Sequence, residues 1–400
     1  MHNARFFYIK KVYRVNRSSI AYNDSMKTVT QPTRILFVYL ANPKFGKYEI
    51  ERGVTELWNL VESLGNASVM DLFIQKGSEH IATYIGPGKA AEISEYLKTN
   101  PIDFIIFNGH LKPTQKFTLT KIYWNINPNI RIWDRVDLIL AIFERHAHTR
   151  EATLQIELAR MRHTGPSIYG MGLVLSRQGG GVGTRGIGET NTELMKRHWK
   201  REIKRVTDVL YKLTKNRQSA IDNRKTKGIT TVSIVGYTNA GKTSLFNLFT
   251  HKKNQVEHAL FVTLDSAVGK MFLPKLGKSV LVSDTIGFIR DLPPDLIDAF
   301  RSTLLESIHA DVMLHVIDAA DPDMMEKIDL VDTILDELKV QKEKIIRVYN
   351  KIDIAESFNR EKISAESLPY PHVFISSVTY QGIDTLMTTV LPHAFTKESG

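Results

Sequence analysis

Thr231-Val232-Ser233-Ile234-Val235-Gly236-Tyr237-Thr238-Asn239-Ala240-Gly241-Lys242-Thr243-Ser244 decides how the chain is read. The first five residues are short, β-branched and apolar, which predicts a buried strand. Ser244-Leu245-Phe246-Asn247-Leu248-Phe249 carries apolar residues at helical spacing. Strand, glycine loop and helix are the context in which Gly-x4-Gly-Lys-Thr becomes a phosphate cradle. The glycines let backbone N–H groups converge on an anion, and the helix N-terminus adds positive potential. Lys242 would reach the outer phosphates, and the Thr243 hydroxyl would hold Mg²⁺.

Four more constellations follow in order. Phe261-Val262-Thr263-Leu264-Asp265 supplies a threonine that can complete the Mg²⁺ shell and sense a γ-phosphate through its N–H. Val268–Phe272 and Val280–Ser283 read as a hairpin about Leu276-Gly277, and its second strand delivers Asp284-Thr285-Ile286-Gly287. Asp284 can hold Mg²⁺ through water, and the Gly287 amide can meet the γ-phosphate. Asn350-Lys351-Ile352-Asp353 ends an apolar strand. The Asp353 carboxylate can accept from guanine N1–H and the exocyclic amine, donors that adenine does not present there. Asn350 is expected to bond elsewhere on the base, with the Lys351 stem along the ring. Ser376-Ser377-Val378 is a loop that can contact the base edge. Phe288 stands where a Ras-like enzyme places the residue that orients water, and its side chain forms no conventional hydrogen bond.

Upstream, strands alternate with helices from Arg34 to about residue 140, which predicts a small parallel α/β domain. Gly86-x-Gly88-Lys89 lacks the nucleotide-loop spacing and reads as a tight turn before a helix. A helix is predicted over Ala141–His163 and a second over Thr190–Ser219. The second carries Met195, Trp199, Ile203, Val206, Leu210 and Leu213 at coiled-coil-like spacing. Between them runs a glycine-rich stretch with Arg177 and Arg185, so the geometry predicted is an antiparallel helical hairpin with a glycine-rich tip. Beside the apolar seam, Arg197, Lys200, Arg201 and Lys204 form part of a basic stripe suited to a phosphate backbone. A solvated helix face is the alternative reading. Ser219–Lys227 is polar and reads as a linker.

The boundaries predicted are therefore a basic disordered extension (1–33), an N-terminal α/β domain (34–140), the hairpin and linker (141–227), and a P-loop GTPase domain (228–400). The net charge of +10 suits a phosphate-rich partner. The absence of Cys excludes disulfides and thiolate metal sites. No apolar run reaches the roughly 20 residues of a membrane span. The first 33 residues hold six basic residues and one acidic. They read as a disordered arm, an over-extended start before Met26 or, less well, an organellar targeting segment, and not as a secretory signal.

Val235–Lys242, Asp284-Thr285-Ile286-Gly287-Phe288-Ile289-Arg290-Asp291-Leu292-Pro293 and Gly179–Gly186 together resemble the HflX family of bacterial ribosome-associated GTPases. The resemblance spans about residues 34–393. It implies binding to the large ribosomal subunit, the hairpin tip reaching ribosomal RNA, and splitting of stalled ribosomes under stress, by a cytoplasmic monomer that can touch membranes peripherally. Thr243 stands where the family usually has Ser, Ser266–Gly269 replaces a Pro-Thr-Thr-Arg run, and Ser377 replaces Ala. Two other readings remain open on the residues alone. One is an RNA-binding or RNA-remodelling protein with a regulatory guanine-nucleotide site; the other is a signalling GTPase whose basic hairpin meets an acidic protein or membrane.

Overall fold

The structure is a computed structural model that describes residues 32–178, 185–252, 267–285, 287–290, 307–355 and 370–391. The basic arm before residue 32, the segment Phe261–Asp265 and Ile286 lie outside the described residues.

The first sheet is built from β1 (Thr33–Ala41), β2 (Ala67–Lys76), β3 (Phe104–Phe107) and β4 (Arg131–Trp133). Its order is β2-β1-β3-β4, all parallel. The crossovers are α1 (Lys47–Leu64), α2 (Pro87–Thr99) and α3 (Pro113–Trp124). Gly86 caps α2 and Pro87 opens it, so the Gly86-x-Gly88 stretch is a helix start, where proline's fixed φ and missing N–H cost nothing.

The helix predicted across 141–163 is two helices, α4 (Arg135–His146) and α5 (Arg150–Gln178). Ala147 is extended (φ −79°, ψ 112°), and the Thr149 hydroxyl accepts from the Ala152 amide. The break follows from packing. Val136, Ile139, Ile142 and Phe143 of α4 bury against Phe37 and Leu60 of the first domain, so α4 completes that core.

α5 pairs with α6 (Arg185–Thr226) as two consecutive long helices. Val206 and Leu210 bury against Leu158, flanked by Leu154, Met161 and Ile203, and the Trp199 indole donates to the Met161 carbonyl at 3.1 Å. α6 continues through the stretch predicted as a linker. Ile221 is buried, and Gly228 at φ +63° closes the helix while the Ile229 amide donates to the Arg224 carbonyl. Polar residues alone do not end a helix; a left-handed glycine with this bonding does.

The second sheet contains β5 (Thr231–Gly236), β6 (Ala267–Leu273), β7 (Lys278–Asp284), β8 (Val312–Asp318), β9 (Ile345–Asn350) and β10 (His372–Phe374). Its order is β10-β9-β8-β5-β7-β6, and β6 alone runs antiparallel, to β7. α7 (Lys242–Thr250) follows β5, and α8 (Met324–Glu337) precedes β9. β5 is the central strand from which the order runs outward, so its carboxyl end is the crevice where such sheets bind ligands. The fold is thus mixed α/β, with the P-loop GTPase domain preceded by a smaller parallel α/β domain and the helix pair.

Candidate nucleotide-binding site

The loop after β5 depends on two glycines for steric reasons. At Gly236 (φ +148°) a Cβ would lie 2.2 Å from the Val316 carbonyl oxygen. At Gly241 (φ +94°) it would lie 2.2 Å from Asn350 Nδ2. Asn239 takes the left-handed conformation between them, at φ +62°. Lys242 opens α7, is buried, and donates from Nζ to the Tyr237 carbonyl at 2.8 Å. Burial pushes its ammonium down to about 8, against the opposing pull of Asp284.

The Thr243 hydroxyl donates to Asp284 Oδ2 at 2.9 Å, and Asp284 is fully buried at the end of β7. A hydroxyl and a carboxylate side by side are hard oxygen donors, and that donor set fits Mg²⁺. Thr285 turns inward and donates to the Ile234 carbonyl at 2.8 Å, so it holds the strand end rather than facing a ligand. Gly287 presses on the loop: a Cβ there would meet Thr238 Cγ2 at 2.8 Å and Lys242 Nζ at 2.9 Å. The Phe288 amide donates to the Gly236 carbonyl at 3.1 Å, and the Thr238 amide donates to the Phe288 carbonyl at 2.8 Å.

Phe288 does more than lack a hydrogen bond. Its side chain is buried among Val235, Met313 and Val331, turned into the second domain. Ile289 is buried in the first domain's core with Phe37, Val136 and Ile139. Consecutive side chains of one segment therefore enter two different cores.

The residues of the expected base site separate into two roles. Asn350 is fully buried; its Nδ2 donates to the Ala240 carbonyl at 2.9 Å, and its Oδ1 accepts from the Ser377 amide at 3.0 Å. Asn350 thus clasps the P-loop to the Ser376–Val378 loop, and the second N–H of its Nδ2 is left over for the contact with the base expected from the sequence. Lys351 (φ +64°) donates from Nζ to Asp318 Oδ2 at 2.7 Å. The Ser376 hydroxyl accepts from the Thr379 amide at 3.0 Å and the Val378 amide at 3.3 Å. Asp353 and Val378 are exposed, and Ile352 bonds through its amide to the Ile375 carbonyl.

Sequence reasoning missed Asp318, which ends β8 beside Asn350 and anchors Lys351. It also missed the surroundings of Tyr237. The Tyr237 hydroxyl donates to Glu56 Oε1 at 3.3 Å and accepts from the Arg290 amide at 3.1 Å. Glu56 in turn pairs with Arg135 at 2.6 Å. No pattern in the sequence joins positions so far apart.

Three family profiles match consecutive stretches: "GTP-binding GTPase N-terminal" over residues 51–144, "GTP-binding GTPase Middle Region" over 146–224, and "50S ribosome-binding GTPase" over 231–351. The GTPase HflX of Caldanaerobacter subterraneus subsp. tengcongensis is 39% identical over 360 residues, covering 89% of this chain and 79% of that protein. The GTPase HflX of Escherichia coli is 37% identical over 331 residues, covering 83% and 76%. The chain belongs to the HflX family of GTPases.

As an HflX family member it binds guanine nucleotide and hydrolyses GTP, with the nucleotide-associated divalent metal that the family implies. A solved structure described as a complex of SsGBP and GDP has a similar fold, with TM-score 0.51 and 27% identity, and the match covers 91% of this chain and 99% of that one. Among the described residues no helix is long and apolar enough to cross a membrane. For the expected RNA contacts, Arg197, Lys200, Arg201 and Lys204 are exposed on α6, whereas the side chains of Arg177 and Arg185 lie outside what is described.

Proposed function

We propose that this GTPase associates with the large ribosomal subunit in its GTP form and splits stalled ribosomes, hydrolysis ending the contact. The observation that carries this reading is a basic cluster on α6 whose flanking Arg197 and Arg205 pair with Glu193 and Glu202 while the cations between them do not. Lys200, Arg201 and Lys204 are exposed and make no ion pair among the described residues, while the seam at Ile203, Val206 and Leu210 packs on α5. Such a face follows a phosphate backbone without reading bases. The domains would be those delimited from the sequence, with α4 assigned to the first.

In the nucleotide site, the loop Gly236–Thr243 would wrap the phosphates, Lys242 would leave the Tyr237 carbonyl for the outer phosphates, and Gly287 would offer its amide to the γ-phosphate. Asp353 would read guanine, flanked by Lys351 and the Ser376–Val378 loop. Thr243 and Asp284, with Thr263 from the undescribed segment, would hold Mg²⁺. When bound, Mg²⁺ would supply charge neutralisation to the phosphates. Because Phe288 is packed in the core, no side chain at that position holds the attacking water. Intrinsic turnover would therefore be slow, and ribosomes would stimulate it.

Co-sedimentation with purified large subunits tests the proposal. The expected result is retention with a non-hydrolysable GTP analogue, weak retention with GDP, and loss of retention in a Lys200→Ala/Arg201→Ala/Lys204→Ala variant. Equal retention with both nucleotides, or retention unaffected by the triple change, overturns it.

A further inference from the structure

Between the first domain and the helix pair, the fold brings together three side chains that the nucleotide chemistry does not use. His110 follows β3, Asp134 caps α4, and His163 lies on α5. His110 Nδ1 is 3.3 Å from Asp134 Oδ2, and His163 Nε2 is 3.1 Å from Asp134 Oδ1. One donor atom from each residue lies within 4.8 Å of the other two. We propose that His110, Asp134 and His163 form a transition-metal site, suited to Zn²⁺, that ties the first helix of the pair to the N-terminal domain.

The donor set argues for the class of ion. Two imidazole nitrogens and one carboxylate oxygen suit zinc and its neighbours, whereas Mg²⁺ and Ca²⁺ prefer all-oxygen shells. The carboxylate is fixed in advance: Asp134 is fully buried, and its two oxygens accept from the Leu111 amide at 3.1 Å and the Asp137 amide at 2.9 Å. Ligands oriented by backbone donors in this way are a feature of built metal sites. The side chain of His110 is 62% exposed, which gives an ion a path in and leaves room for water as a fourth ligand. Asp137 Oδ1 lies 3.5 Å from His163 Nε2 and adds negative charge on the buried side.

The test uses the full chain, stripped with chelator and then titrated with Zn²⁺ in excess Mg²⁺, so that the nucleotide site is excluded from the count. The expected stoichiometry is about one Zn²⁺ per chain, with Co²⁺ giving the visible absorption of a low-coordinate nitrogen–oxygen site. His110→Ala, an exposed change that leaves the fold alone, should weaken binding about tenfold or more, and His163→Gln should weaken it further. No saturable binding, or binding equal to the parent in His110→Ala, overturns the proposal.

Discussion

Asn350 joins the P-loop to the loop at Ser377 through two buried hydrogen bonds, so its removal loosens both loops whatever it also does at the base. Asn350→Ala orphans the Ala240 carbonyl and the Ser377 amide, each costing about 1–3 kcal/mol. The expected outcome is a lower melting temperature and weaker GDP binding, read by thermal denaturation and by calorimetry. A variant that binds GDP as the parent does would contradict the clasp. Phe288→Gln would place at this position the kind of side chain with which a Ras-like enzyme orients water. The structure gives the opposite expectation. A buried Gln at 288 loses apolar packing and buries an amide in an apolar cluster, a loss of about 2–4 kcal/mol. Destabilisation without faster single-turnover hydrolysis is expected; faster hydrolysis at unchanged stability would sink this reading.

At the scale of elements, β8, α8 and β9 enclose a charged group that makes the second domain acid-sensitive. His315 on β8 is buried, with Nδ1 3.6 Å from Asp332 Oδ1 of α8, and Arg347 of β9 donates to Asp332 Oδ2 at 2.6 Å. Burial holds His315 below the ordinary histidine value, Asp332 opposes this, and Arg347 and Lys242 reinforce it. The unfolded chain therefore takes up this proton first, and stability falls as pH drops below about 6.5. Asp332 adds to the loss at lower pH, since Arg347 and His315 hold it below the ordinary carboxylate value despite burial. Urea midpoints at pH 7.5 and 5.5 should differ, and His315→Asn should narrow the gap; equal midpoints in the parent would refute it. Much of this architecture is legible in the sequence. Strands such as Thr231–Gly236 announce themselves by β-branching, and the loop glycines by spacing. The break at 147–149 is not legible, because Ala147-His148-Thr149 contains neither Gly nor Pro and only the packing of α4 reveals it. The role of Asn350 is hidden for a related reason: its partners Ala240 and Ser377 are distant in the chain, and pattern reading sees only local order.

Across the whole molecule, the two sheets are joined at the segment after Gly287. Ile289 in the first core, the Glu56–Arg135–Tyr237 contacts and the pairs of Arg52 with Asp323 and Glu326 all cross the same boundary. Ile289→Ala removes the apolar anchor at a cost of about 2–4 kcal/mol. Amide exchange at Gly287–Arg290 should then quicken by about tenfold or more, while β9 keeps its protection. Unchanged exchange at both would show that Ile289 does not hold the boundary. The length of α6 adds a mechanical consequence. Its 42 residues, at about 1.5 Å each, reach on the order of 60 Å. Its last turns, at Ile221, Arg224 and Lys225, rest in a crevice against Thr231, Val282 and His309 of the nucleotide-binding domain. A tilt of only about 5° at that pivot would sweep the distal end through roughly 5 Å, so the helix would act as a lever, gearing a sub-ångström adjustment beside β5 into a displacement the size of a nucleobase.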